Sequence, residues 1–147
     1  MANVEINPAF LESSTAFIRS SVTASFKPVA YFDEELDCVR VIIRDCSVTE
    51  VRINEHLTIA EDNYPTNPAD RYVGFTVKGV RHFLRSKKES PQVTAIGAVL
   101  EQMLAELPTL IGDADGKTLV DMAVSISFAL LERVEEKEKN VPLKLAA

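Results

Sequence analysis

The segment Ile111–Val120 reads IGDADGKTLV, and its Gly116-Lys117-Thr118 matches the tail of a phosphate-binding loop. Such a loop has four residues between its glycines, so that a nest of backbone N–H groups closes around the phosphate. Here three residues separate Gly112 from Gly116, and two of them, Asp113 and Asp115, are carboxylates that would repel the ligand. The same aspartates have the first two spacings of a calcium loop, but Lys117 and Thr118 stand where that loop needs an oxygen ligand and a glycine. The stretch is read instead as the connection of a helical pair. Gly112 ends one helix in the left-handed conformation, and Asp113 or Asp115 caps the next.

Other residues suited to chemistry are few. His56 and His82 are the only histidines, and neither has a nucleophile or carboxylate in a recognised local arrangement. If a pocket forms between a sheet and helices, His56, His82 and Arg40 are the first candidates to line it. Asp33, Glu34, Glu35 and Asp37 crowd one turn, which reads as a solvated hairpin end with a weak cation site as the alternative. Lys78, Arg81, Arg85 and Lys88 recur at helical spacing and would form a basic stripe able to grip phosphates or an acidic partner. The chain as a whole opposes nucleic acid, because its net charge is −6. Cys38 and Cys46 form no C-x-x-C and share no metal spacing with a histidine, so both are expected to be free, small hydrophobes. No cofactor or metal is expected.

The elements that must position these residues follow from periodicity. With 147 residues, 46% hydrophobic and 26% charged, one soluble domain over 1–147 is expected. No apolar run is long enough to span a membrane, and MANVEINPAF lacks the features of a secretory signal, so a cytoplasmic location is expected. Residues 7–20 read as a short helical arm capped at Asn7. Residues 28–79 alternate apolar and polar in short runs separated by turns, which predicts an antiparallel meander of four or five strands. Within it, NEH at 54–56 is read as a tight turn between two strands, because one continuous strand would put Glu55 on the core parity.

Beyond Gly79 the period becomes helical. Residues 80–88 form a short helix with Val80, Phe83 and Leu84 inward, and 91–140 form a helical hairpin. The first member shows Ile96, Val99, Leu100, Met103, Leu104 and Leu107 on one face. The second, expected to run from about Lys117 to Lys139, carries two apolar stripes. One is Leu119, Met122, Ile126 and Leu130. The other is Val120, Val124, Phe128 and Leu131 and is assigned here to a subunit interface. The tail VPLKLAA is expected to be loose.

The runs YFDEELDCVRVIIRD, VTEVRINEHLTI and YVGFTVKGV resemble the small bacterial β-meander family DUF2283, over roughly residues 30 to 84. Val73-Gly74-Phe75 matches the last strand of that pattern, whereas the long EDNYPTNPADR loop and the helical hairpin depart from it. The resemblance implies no catalytic residue. Some members are encoded beside small toxin-like proteins, which implies a protein partner.

The sequence therefore predicts an α+β fold: a short N-terminal helix, an antiparallel meander, and a C-terminal helical pair on one face. The expected role is that of a non-catalytic cytoplasmic protein that forms a homodimer through its last long helix. The alternatives are an antitoxin-like, protein-binding regulator that uses the 78–88 stripe or a strand edge, and a small-ligand binder or enzyme with a sheet–helix pocket.

Overall fold

The computed structural model describes residues 26–87, 95–107 and 114–143. The expected arm at 7–20, Lys88, the helix start at 90–91 and the glycine and aspartate at 112–113 lie outside the described residues. Five strands form: β1 (Val29–Asp33), β2 (Cys38–Ile42), β3 (Val48–Arg52), β4 (Leu57–Asp62) and β5 (Tyr72–Lys78). The described residues also form α-helices α1 (Val80–Lys87), α2 (Ile96–Glu106), α3 (Ala114–Glu132) and the single turn α4 (Glu136–Lys139). The fold is α+β, one antiparallel sheet with helices packed against it.

The strand order is β1-β2-β5-β4-β3, so the chain does not place each strand beside its predecessor throughout. After β2 it crosses to the far edge, and β5 returns to fill the centre. Composition explains the choice. Between Arg71 and Lys78, β5 has no charged residue, and its five central residues are buried. β3 carries Glu50 and Arg52, is exposed along its whole length, and takes the edge, where charge discourages further pairing. Gly74 makes the central position possible. A Cβ there would lie 2.6 Å from the Val41 carbonyl oxygen, too close for any other residue without a backbone shift.

NEH forms the turn expected of it. Asn54 Oδ1 accepts from the N–H groups of His56 and Leu57, both at 2.8 Å, and this bends β3 into β4. The acidic turn after β1 has a structural use. Asp37 adopts φ 51°, and its carboxylate accepts from the Arg81 N–H at 3.0 Å, while its carbonyl accepts from Gly79 N–H at 3.0 Å. It thereby caps α1 from the β1–β2 turn. Glu34 pairs with Arg81 at 3.7 Å. These two carboxylates dock a helix.

Alternation puts Ala30, Val39, Val41, Leu57, Ile59, Val73, Phe75 and Val77 on the helix-covered face, all buried. Leu100 and Leu104 of α2 and Val120, Val124 and Leu131 of α3 join them in one cluster. This corrects the assignment of the α3 stripe. Val120, Val124 and Leu131 are buried inside the protomer, and Phe128 is half-buried against the same core. The large apolar residues that α3 leaves exposed are Leu119 and Met122. A helix that lies across a single sheet must use its most apolar face for its own core first.

Two expectations for the C-terminus change. The long helix stops at Glu132 instead of reaching Lys139, and its last turn tightens: Arg133 and Val134 N–H groups donate to the carbonyls of Leu130 and Leu131. The bend lets Val134 enter the core. The segment after α4 is not loose as far as Leu143. Ile96 N–H donates to Val141 O at 3.0 Å, Pro142 bridges to Ala95, and Leu143 is fully buried.

Candidate functional site

Register builds the candidate site. Leu57 lies opposite Val77, so the residue before Leu57 meets the residue after Val77. His56 is therefore beside Lys78, and the Lys78 N–H donates to the His56 carbonyl at 2.8 Å. Gly79 then turns the chain at φ 85°, a conformation natural to glycine, and α1 starts at once. His82 follows within the first turn of that helix. Two histidines 26 positions apart in sequence thus line one cavity of about 320 Å³ with Lys78, Ser86, Lys87 and Glu106. Phe83, Met103 and Leu107 supply its apolar wall.

The polar groups of this cavity have distinct states. His56 Nε2 lies 3.3 Å from Glu55 Oε1. Lys87 pairs with Glu106 and lies over the Phe83 ring, 5.7 Å from its centroid. The Ser86 hydroxyl donates to the Phe83 carbonyl at 2.6 Å, so it is engaged by backbone and not by an imidazole. Lys78 has no carboxylate partner among the described residues. The cavity therefore has more positive than negative groups, and each histidine adds charge on protonation.

Arg40 is elsewhere. It projects from the opposite face of the sheet, which no described helix covers, stands opposite Thr76, and does not line the two-histidine cavity. The basic stripe is also divided. Lys78 ends a strand, so helical spacing does not carry through Gly79 to Arg81. Arg81 is paired with Glu34 and lies over the Phe32 ring at 5.8 Å. Arg85 is exposed on α1. Gly116, Lys117 and Thr118 belong to the opening turns of α3, not to a loop after a strand.

The cysteines are free, and burial pushes both thiols above their usual pKa, which keeps them protonated and weakly nucleophilic. Asp62 behaves in the opposite way. The Tyr64 N–H and then the Arg44 guanidinium hold its carboxyl below the ordinary carboxylate range. Arg44 donates to Asp62 Oδ2 at 2.6 Å and to the Asp70 carbonyl at 2.9 Å, which ties the long β4–β5 loop to the end of β2. Among the described residues no group of three His, Cys, Asp or Glu could hold a metal ion. None of the described helices is long and apolar enough to cross a membrane.

Sequence reasoning named both histidines but had no means of joining them, and it missed Ser86, Lys87 and Glu106. Helical spacing from His82 over α1 carried the only signal for Ser86. No family model matches the chain, and no curated protein and no solved structure matches it.

Proposed function

We propose that the protein is a non-catalytic binding domain whose sheet–helix cavity takes a small organic anion. The observation that carries this reading is the convergence of His56, His82 and the unpaired Lys78 on one cavity of about 320 Å³. That volume is near the lower end for small-molecule sites. An acidic head would meet Lys78 and the imidazoles, and an apolar body would rest on Phe83, Met103 and Leu107. Binding is favoured over catalysis because the one hydroxyl at the site, Ser86, is bonded to a backbone carbonyl.

Phenyl phosphate titrated against the imidazole C–H resonances tests the reading. Both histidine rings should shift together and saturate, and His82→Ala should weaken binding about tenfold, the worth of one charge-assisted hydrogen bond. Rings that do not move, or that follow chloride equally, would sink it.

Burial of the α3 stripe disfavours self-association through it. With Val120, Val124 and Leu131 inside, Leu119 and Met122 alone cannot supply the roughly 800 Å² per partner of a standard interface. The antitoxin-like reading loses its continuous stripe and keeps the strand edges at β1 and β3.

A further inference from the structure

The open face of the sheet carries a polar row. Tyr31, Arg40, Thr76, Thr58 and Arg52 stand in register across all five strands. Thr58 and Thr76 are directly paired and only 8% and 7% exposed, and neither hydroxyl has a hydrogen-bond partner among the described residues. Their hydroxyl oxygens are accessible although the residues are nearly buried, which leaves them free to bond to water or to a ligand. Both open on a cavity of about 180 Å³ that is also lined by Arg40, Lys78, Glu50 and Leu36.

Arg40 is under-used in the same cavity. Its carboxylate contacts are to Asp33 at 3.9 Å and to Glu50 at 3.6 Å, both longer than a hydrogen bond. Its other neighbour is the Cys38 thiol, a weak acceptor. Glu50 is an unusual partner, because β3 lies three strand spacings from β2, about 14 Å in a flat sheet. The two long side chains reach toward each other over the threonine row, and the exposed Glu50 lies on the far rim of the cavity.

We propose that this cavity is a binding site for a small carboxylate, which replaces Glu50 at the Arg40 guanidinium. A planar carboxylate matches the guanidinium fork in a way one distant oxygen of Glu50 does not. Thr58 and Thr76 then donate their hydroxyl protons to the ligand, and Lys78 offsets its charge. By liquid volume the cavity holds about six waters, which sets the ligand at a few carbons. Glu50 acts as an internal competitor that occupies the site weakly when no ligand is bound. Lys78 is the one residue that this cavity shares with the two-histidine cavity.

Propionate titrated against the Thr58 and Thr76 amides and the Arg40 Nε–H signal tests the proposal, with chloride at equal ionic strength as the control. The expected result is a saturable shift at all three, weakened about tenfold or more by Arg40→Gln. Glu50→Gln, at an exposed position, should leave the amide spectrum folded and tighten propionate several-fold. The proposal is overturned if the shifts do not saturate, if chloride reproduces them, or if Glu50→Gln binds no tighter than the unaltered chain. Tighter binding of inorganic phosphate than of propionate overturns the carboxylate assignment. The reporters lie outside the histidine rings, so this site and the two-histidine cavity stand or fall separately.

Discussion

Phe75 and Thr76 are adjacent in β5 and both almost fully buried, yet they belong to different worlds. Phe75 belongs to the apolar cluster under α2 and α3. Thr76 lies on the other face of the sheet, between Arg40 and Thr58. The pleat alone separates them, since successive side chains leave a strand on opposite sides. One face of this sheet carries the apolar core, and the other carries a row of polar side chains. A substitution on one should read out in stability and a substitution on the other in binding.

The largest test concerns α3, which belongs wholly to the covered side at Val124 and to solvent at Met122. Val124→Glu buries an unpaired charge and should cost at least about 3–5 kcal/mol. Met122→Glu should stay within about 0.5 kcal/mol. Urea melts measure both, and light scattering on the second shows whether any dimer depends on that face. If Val124→Glu remained as stable as the unaltered chain, the α3 stripe would be an interface after all.

On the sheet itself, Phe75→Ala should cost about 3–5 kcal/mol by leaving a cavity in the core. Gly79→Ala tests the joint between the two regions. A side chain at φ 85° should lose about 1–2 kcal/mol and disturb His56 and His82 signals together, because that turn sets α1 against β4. A thermal melt that is unchanged would show that the turn is not under conformational constraint.

Acid provides a further test. A carboxyl held below its ordinary range contributes stability above the unfolded-state pKa, and that contribution is lost as pH falls through the depressed value. Asp62 is such a group, so stability should fall on acidification below the ordinary carboxylate range. Asp62→Asn should flatten that part of the pH profile. The smallest expected effect is Thr76→Val, within about 0.5 kcal/mol, because the hydroxyl it removes satisfies no protein group. The same change should weaken propionate. A large loss of stability from Thr76→Val would mean that the hydroxyl has a structural partner, and the contrast between the faces would fail.

Local pattern made several elements legible. Alternation in CVRVI and YVGFTVK located strands and their inward residues, and the charge at Glu55 argued correctly for a turn at Asn54–His56. The helical period from Ile96 to Leu107 marked the α2 core face. These signals are properties of one element and its own two sides. The α3 stripes were visible too, but their ranking was not. Both are apolar, and only the position of the sheet decides which is covered first. The stop at Glu132 was equally hidden, because the charged run ERVEEKEK suits a helix. It ends where Val134 must turn inward.

By itself, the sequence determined the α+β class, the alternation that gives the sheet two unlike faces, and the failure of Gly116-Lys117-Thr118 as a phosphate loop. Each depends on residues close together in the chain, where sterics and side-chain period act directly. Tertiary structure alone decided that β5 sits in the centre, that His56 meets His82, that Arg40 faces Glu50 across the sheet, and that Leu143 is fixed in the core. Those pairings join distant segments through strand register and helix packing. Such contacts arise from how all elements bury their surfaces at once, and no local window of residues contains that information.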